Sequence, residues 1–355
     1  MKIESNERIY QLLAISAGSV FSTTCVLLIG CPHLNQFEDP RWASSFVHAP
    51  SFVIVRTSHA TDFTYISHGS SVINAILIDG TFQARAITRN PTSSAAQALV
   101  KRGVYVVQGD TCADFQTLLD ALQGSKVVFL VTVLVAFGAT VDEKTQGINV
   151  VEAAKKAGVE FLVFSSLPSV VEVSQGKYKG VVHYDHKAQV EQYLKTAGLA
   201  HASVLAGSFL ENLWTFGALK KAEPCYELSV PYPPGAKEIF TWGGRDVGVV
   251  ALAMAKAYAS GNNSIVGKSY PIVNAWTTYT QFVKLIEQKL GVPVKFVQTP
   301  PSGVQSIDEM YAAHEEYEGL LGGTPIPNPD LVALGVQLGT LEEFLEGEVK
   351  TRFAA

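Results

Sequence analysis

Residues 126–136 read KVVFLVTVLVA, and residues 160–166 read EFLVFSS. Continuous apolar runs of this kind are typical of parallel strands that are covered by helices on both faces. The segment between them, residues 142–157, has helical length and is followed by Gly158, a residue type that commonly ends helices. Together these stretches predict a strand–helix–strand unit with a right-handed crossover, and hence a parallel sheet.

The same alternation extends on both sides of this unit. Short apolar segments that predict strands alternate with segments of helical periodicity that end at glycine. The predicted fold class is therefore α/β, a doubly wound parallel sheet. The other predicted strands are residues 51–55, 83–88, 104–108 (VYVVQ, expected to be buried) and 201–207, and the other predicted helices are residues 72–79, 93–102, 114–124 and 184–197.

This regularity weakens after residue 210. Residues 231–240 and 298–330 are rich in Pro and Gly and predict loops, whereas residues 246–259 and 277–290 keep helical periodicity. The pattern predicts a smaller, discontinuous C-terminal lobe. The expected domains are an extension outside the fold at residues 1–50, a Rossmann domain at residues 51–210 completed by parts of 239–275, and a C-terminal lobe at residues 211–238 and 276–355.

Composition and charge exclude several classes of function. The net charge is −5 and the Lys and Arg residues are scattered, which argues against a nucleic-acid surface. No C-x-x-C motif occurs among the four widely spaced cysteines, and no His/Cys/carboxylate set has metal-ligand spacing. Reduced thiols of this kind predict an intracellular protein, cytoplasmic or alternatively nuclear, without a bound metal.

The N-terminal region carries one apolar segment. Residues 12–30 form a 19-residue stretch without charge, close to the length that spans a bilayer. However, residues 1–10 carry two acids and two bases, so the positive region of a signal peptide is missing. A membrane anchor is not favoured, and the alternative is an extension outside the fold.

A Rossmann-type fold places a dinucleotide's pyrophosphate at the start of the first helix, where glycines allow close approach of the backbone. The first helix is expected to start near Gly69–Val72, and no glycine lies between residues 51 and 68. Arg89 follows Gly69 by 20 residues, at the end of a predicted strand. At this place an acid would bind the ribose 2′-hydroxyl of NAD, whereas Arg accommodates the 2′-phosphate of NADP. NADP is therefore the expected cofactor, with NAD as the alternative.

Six segments occur in this order along the chain: GSSVINAILIDGTFQARAITRNP (69–91), VVQGD (106–110), VFLVT (128–132), FLVFSSLPSV (161–170), GKYKGVVHYDHKAQVEQYLKTAGL (176–199) and SFLENLW (208–214). In this set the chain resembles the NmrA-like family of atypical short-chain dehydrogenases/reductases. The resemblance implies an extended Rossmann domain, NADP binding and a C-terminal lobe that forms a cleft with it. Some members are oxidoreductases, often of secondary metabolism in fungi, and others are redox-sensing regulators that bind transcription factors.

The chain departs from the family pattern just before Gly69. The family opens with a segment like TGATGNQGGSV, and ungapped alignment places its first two glycines on Phe63 and Ile66. We therefore expect residues 1–67 to derive from translated intron or upstream sequence, which sequencing of the transcript would decide.

The resemblance also implies a catalytic region. Short-chain dehydrogenases use Tyr-x-x-x-Lys, whose spacing stacks both side chains on one helix face. Lys187 matches the family's lysine and is expected to bind the nicotinamide ribose. His183 stands where the tyrosine would be, and Tyr184 follows it. Either of the two could supply a proton, although His183 could equally be structural.

Further site residues are expected at strand ends, where ligands bind in open α/β sheets. The predicted cofactor-binding residues are Gly69, Arg89, Asp110, Thr132, Ser165 and Lys187, and the predicted cleft residues are Phe209 and Asn212. The sequence thus predicts an NADP-binding oxidoreductase acting on a small molecule. The alternatives are a non-catalytic NADP sensor that contacts a transcription regulator and a protein that has lost its cofactor.

Overall fold

The structure is a computed structural model that describes residues 51–56, 63–112, 115–134 and 140–354. The apolar segment 12–30 and the predicted extension at residues 1–50 lie outside the described residues. The strands are β1 (Ser51–Arg56), β2 (Gln83–Thr88), β3 (Tyr105–Gln108), β4 (Val127–Val131), β5 (Phe161–Ser166), β6 (His201–Ala206), β7 (Ser208–Phe209), β8 (Leu219–Ala222), β9 (Cys225–Val230), β10 (Lys237–Thr241), β11 (Ser269–Ile272), β12 (Ala275–Thr278) and β13 (Val294–Gln298).

Helices connect most of these strands. The α-helices are α1 (Phe63–Asp79), α2 (Ser94–Lys101), α3 (Phe115–Leu122), α4 (Glu143–Lys156), α5 (Val170–Val173), α6 (Val182–Thr196), α7 (Asn212–Thr215), α8 (Gly243–Ala259), α9 (Tyr279–Leu290), α10 (Gln305–Glu316), α11 (Pro329–Ala333), α12 (Leu341–Phe344) and α13 (Lys350–Phe353). Short 3-10 helices span Asn263–Ile265 and Glu318–Leu320, and a π-helical turn spans Leu345–Val349.

The main sheet has seven parallel strands in the order β11-β6-β5-β4-β1-β2-β3. This is the Rossmann order with one strand added beyond β6. β4 and β5 lie inside the sheet and every residue of both strands is buried, as their continuous apolar runs predicted. The predicted doubly wound parallel sheet is confirmed.

Two apolar layers cover the faces of this sheet. On one face, α1 and α8 pack together over a cluster that includes Phe52, Phe129 and Phe161. On the other face, α3, α4 and α6 cover Val53, Leu130 and neighbouring side chains. Because the strands are parallel, their carboxyl ends meet at one edge of the sheet between these layers.

The C-terminal region adds two three-stranded sheets, β12-β10-β7 and β13-β9-β8. A third apolar cluster lies among them, with α9 and the π-helical turn packed over it. This is the smaller, discontinuous lobe that the sequence predicted: β11 and α8 return to the main sheet between its parts.

Several local predictions are wrong. Helix α1 begins at Phe63 and not near Gly69–Val72, so the predicted phosphate segment is already helical at Gly69. The predicted strand 126–136 ends at Val131. The predicted buried strand 104–108 is β3, whose residues are exposed or half-buried because β3 lies at the edge of the sheet.

The loop predictions in the lobe also fail in part. Residues 231–240 contain the start of β10, and residues 298–330 contain the 12-residue helix α10. Proline and glycine cluster at the ends of these segments, and the elements between them are held by packing against the rest of the lobe.

Candidate functional site

The predicted cofactor residues of the sheet lie along its carboxyl edge. Arg89 directly follows β2, Asp110 follows β3 by two residues, Thr132 follows β4, and Ser165 is the penultimate residue of β5. The topology therefore brings these four side chains to one edge, in the order of their strands across the sheet.

Arg89 and Asp110 form one end of this edge. Gln108 Nε2 donates to the carbonyl oxygen of Arg89 at 3.4 Å, which ties the end of β3 to the end of β2. Burial lowers the pKa of Arg89, while the nearby Asp110 and Cys112 act in the opposite direction. A guanidinium remains charged under these conditions, so this end presents a half-buried cation.

The first turns of α1 reach the middle of the edge through His68. Its Nδ1 lies 3.2 Å from the hydroxyl of Ser165, and its ring meets the ring of Phe209 edge-on at 4.8 Å between centroids. The sequence prediction did not include His68 as a site residue; its place directly before Gly69 was the available signal. Gly69 itself is buried within α1, and a Cβ there would meet no atom of the described part of the chain within 4 Å.

Lys187 lies in a buried group that we call the lysine cluster: Thr132, Glu143 and Lys187. The ammonium of Lys187 donates to Glu143 Oε1 at 2.6 Å, to Thr132 Oγ1 at 2.7 Å and to the Thr132 carbonyl oxygen at 2.9 Å. The Lys187 side chain is 3% exposed and that of Glu143 is fully buried. Thr132 Oγ1 also donates to Glu143 Oε1, whereas Glu143 Oε2 has no hydrogen-bond partner among the described residues. The lysine is thereby fixed at the end of β4.

His183 precedes Lys187 by one helical turn on α6. Burial lowers the pKa of His183 to about 4, and the positive charges of Lys187, His314 and His186 add to this effect. His183 is therefore neutral at pH 7 and is not a strong proton donor there.

Tyr184 points to the lobe and belongs to a second group, the tyrosine cluster: Tyr184, Glu238 and His314. Its hydroxyl lies 2.7 Å from His314 Nε2, and His314 Nδ1 lies 3.5 Å from Glu238 Oε2. All three side chains are buried. Burial, with the charge of Glu238, raises the pKa of Tyr184, which is the reverse of what a tyrosine acid needs at neutral pH.

The predicted cleft residues lie where β7 meets α8. A Cβ at Gly243 would approach Phe209 Cδ1 to 2.7 Å, so the ring packs directly on the start of α8. Glu211 accepts hydrogen bonds from the amides of Gly243 and Gly244 at 3.2 and 2.6 Å, and burial raises its pKa to about 7. Asn212 begins α7, and its buried Oδ1 has no hydrogen-bond partner within the ranges that the structure describes. His68 of the main-sheet helix α1 thus meets Phe209 of β7, a strand that pairs with β10 of the lobe.

Within the described ranges, no group of three or more His, Cys, Asp or Glu side chains could hold a metal ion. No helix there combines the length and the apolar character needed to cross a bilayer. An open depression of about 530 Å³ lies on the lobe between Trp276, Gln281 and Leu341, away from the strand ends.

The order of the sheet and the residues along its edge define a Rossmann-fold α/β protein with a C-terminal lobe. The NmrA-like family matches residues 67–321, which is well over half of the sequence. The chain belongs to the NmrA-like family.

Curated relatives include oxidoreductases of fungi. The NmrA-like family domain-containing oxidoreductase ptmS of Penicillium ochrochloron is 33% identical over 191 residues, which cover 49% of this chain and 56% of that protein. The corresponding oxidoreductase cpsB of Aspergillus campestris is 28% identical over 258 residues, which cover 65% and 72%. The chain spans about half the length of the first curated relatives that it matches.

Solved structures share the fold. NmrA, a negative transcriptional regulator in complex with NADP, matches with a TM-score of 0.64 at 17% identity over 86% of this chain and 97% of that chain. An NADPH-dependent quinone oxidoreductase from Escherichia coli, complexed with NADPH, matches with a TM-score of 0.59 at 22% identity over 78% and 94%. At these identities the likeness establishes the fold alone.

The fold family implies an NAD(P) cofactor. The residues at the carboxyl edge of the main sheet fit its adenosine end better than its pyrophosphate. At the adenosine end, Arg89 supplies a cation for a 2′-phosphate. At the pyrophosphate end, the 17-residue helix α1 offers first-turn amides and its dipole. The glycines that would let a phosphate approach closely are missing between residues 51 and 68. A Cβ at Gly69 would meet no atom of the described residues within 4 Å, so the packing among them does not require a glycine at this position.

Proposed function

We propose that this protein binds NADP at the carboxyl edge of its main sheet and acts as an oxidoreductase on a small molecule. The observation that carries the proposal is Arg89, a half-buried cation at the end of β2. The acid that binds the ribose of NAD in such folds belongs at this strand end, and here that position is basic. The names of the curated relatives and the bound cofactors of the similar structures support the same proposal.

The proposal gives each part of the edge a role. Arg89 holds the 2′-phosphate with charge-assisted hydrogen bonds, and Asp110 lies beside the adenosine. Lys187, with Thr132 and Ser165, lies at the nicotinamide end, where the bound cofactor supplies or accepts a hydride. Phe209 and Asn212 form the cleft in which a small substrate is held between the sheet and the lobe. The proposed location of the protein is the cytoplasm or the nucleus.

A second candidate is a non-catalytic NADP sensor that regulates a transcription factor by protein contact. This candidate is favoured because neither residue that could supply a proton is suited to do so. His183 is neutral at pH 7, and the hydroxyl of Tyr184 is hydrogen-bonded to His314. The oxidoreductase names of the curated relatives favour catalysis.

The two candidates are separated by binding and turnover. NADP, NADPH and NAD are titrated calorimetrically into the purified full chain, and NADPH oxidation is then followed with quinones, enones and aldehydes. Turnover with any of these substrates supports the oxidoreductase. Tight and equal binding of NADP and NADPH without turnover supports the sensor, and a lack of binding by all three nucleotides contradicts both.

The cofactor preference is tested at Arg89. Arg89→Ala should lower the affinity for NADP by roughly 10- to 100-fold, about 1.5–3 kcal/mol, because a charged hydrogen-bonding partner of the phosphate is lost. The affinity for NAD should hardly change. Arg102→Ala is the matched control, because Arg102 caps α2 and bonds to Asn74. Equal effects of Arg89→Ala on both nucleotides would show that Arg89 does not read the 2′-phosphate.

A further inference from the structure

The lysine cluster contains a residue that no motif assigned, Glu143. Its side chain is fully buried and comes from α4, 44 residues before Lys187 in the sequence. A buried glutamate is costly to desolvate, and its pairing with a lysine offsets this cost without adding much net stability. A gain in folding stability is therefore a weak explanation for burying this pair. Its position at the strand ends, where ligands bind in such sheets, suggests a role in ligand binding instead.

The geometry shows how the ammonium is held. An ammonium has three N–H donors, and here Glu143 Oε1, Thr132 Oγ1 and the Thr132 carbonyl oxygen accept from it at 2.6–2.9 Å. The carbonyl oxygen is fixed by the backbone at the end of β4. Thr132 Oγ1 is the acceptor that can be exchanged, because the threonine hydroxyl also donates to Glu143 Oε1 at 3.0 Å and keeps that bond when it releases the lysine.

The glutamate is itself held in place. It is the first residue of α4, directly after the N-cap Asp142. One turn further, Gln146 bonds to the amide and the carbonyl oxygen of Val133 at 3.3 and 2.8 Å, which fastens α4 to the chain just after Thr132. These bonds place the start of α4, and with it the carboxylate, beside the end of β4.

We propose that Glu143 is the positioning residue for Lys187: with the Thr132 carbonyl it holds the ammonium at the end of β4, so that a ribose hydroxyl of the cofactor can take the place of Thr132 Oγ1. This inference rests on the proposed function, because it concerns the nicotinamide end of the NADP site. Glu143 acts only through Lys187 and touches neither cofactor nor substrate.

The test compares two ligands of the full chain. NADP reaches both ends of the site, whereas 2′,5′-ADP carries the adenosine end and no nicotinamide ribose. Calorimetric titration of both is carried out on the wild type and on Glu143→Gln, which keeps the size of the side chain and removes its charge. The variant should lose roughly 10-fold or more in NADP affinity, as expected for a hydrogen bond to a charged group, and keep its 2′,5′-ADP affinity within about 2-fold.

Each other result has a defined meaning. Unchanged NADP affinity in Glu143→Gln overturns the inference, and so does a parallel loss for both ligands, which indicates general damage to the fold. A wild type that binds NADP no better than 2′,5′-ADP also overturns it, while leaving the adenosine half of the proposed function in place. A wild type that binds neither ligand contradicts the proposed function itself.

A second variant covers the case in which Glu143→Gln does not fold. Glu143→Leu combined with Lys187→Met replaces the whole pair by apolar side chains, which restores packing without a buried charge. This double variant should bind NADP no more tightly than 2′,5′-ADP, and Lys155→Met, which removes an exposed lysine of α4, should bind both ligands as the wild type does. Retained preference for NADP in the double variant would overturn the inference.

Discussion

Helix α6 contributes to two buried polar clusters that differ in where their partners lie. In the lysine cluster, Lys187 bonds to Thr132 and Glu143, which both belong to the Rossmann part. In the tyrosine cluster, Tyr184 bonds to His314 of α10, which faces Glu238 of β10. Tyr184 and Lys187 are three positions apart, so a single turn of α6 supplies one residue to each cluster. The bonds of the lysine cluster join the end of β4 to α4 and α6, whereas those of the tyrosine cluster join α6 to α10 and β10 in the C-terminal region.

The largest expected effect comes from breaking the lysine cluster on one side. Lys187→Met alone should lower the free energy of unfolding by about 3–5 kcal/mol, because it leaves the carboxylate of Glu143 buried without its cation. Adding Glu143→Leu should recover most of this loss. Urea unfolding of both variants measures these changes in the free energy of unfolding. The control is Lys155→Met, which should cost less than about 1 kcal/mol because the ion pair of Lys155 with Glu152 is partly exposed. A Lys187→Met cost as small as that of the control would contradict the burial of the pair.

His183 lies between the clusters and should make stability depend on pH. Its folded-state pKa of about 4 is below the ordinary value of 6.5, so the unfolded chain binds more protons between these values. The stability that neutral His183 contributes is present above pH 6.5 and is lost as the pH falls toward 4, by up to about 3 kcal/mol. His183→Gln should therefore flatten the fall in stability over this range, measured by urea unfolding at a series of pH values. Identical pH profiles for the variant and the wild type would rule out this protonation.

The fold was predictable because its central strands carry a local signal. β4 and β5 are buried on both faces, and their continuous apolar runs show this directly. The edge position of β3 was not predictable from VYVVQ, because exposure there depends on the order of the strands and not on the segment itself. The early start of α1 was missed because the segment of helical periodicity that predicted this helix covers only residues 72–79.

The site was predictable only where a motif exists. Lys187 and Arg89 were named from the family resemblance and from their spacing, and the structure brings both to the carboxyl edge of the sheet. Glu143, Glu238 and His314 follow no motif, because each meets its partner through tertiary packing over a long sequence separation. A buried charge pair is a property of the folded chain, and single-sequence patterns do not report it.

Tyr184→Phe has the smallest expected effect, and it tests whether the tyrosine cluster can be weakened while the lysine cluster stays intact. Tyr184→Phe removes the hydroxyl and leaves Nε2 of His314 buried without that partner, which should cost about 1–2 kcal/mol. Because His314 belongs to α10, the loss should appear as faster amide hydrogen exchange in residues 305–316, with exchange in α4 unchanged.

The matched control for this change is Tyr193→Phe. Tyr193 is on the same helix and its hydroxyl donates to Glu152 at a partly exposed position, so its removal should leave exchange in residues 305–316 as in the wild type. If Tyr184→Phe accelerated exchange in α4 and α10 alike, the two clusters would act as one unit. If Tyr184→Phe accelerated amide exchange in neither helix, the Tyr184 hydroxyl would not stabilise the packing of the lobe against α6.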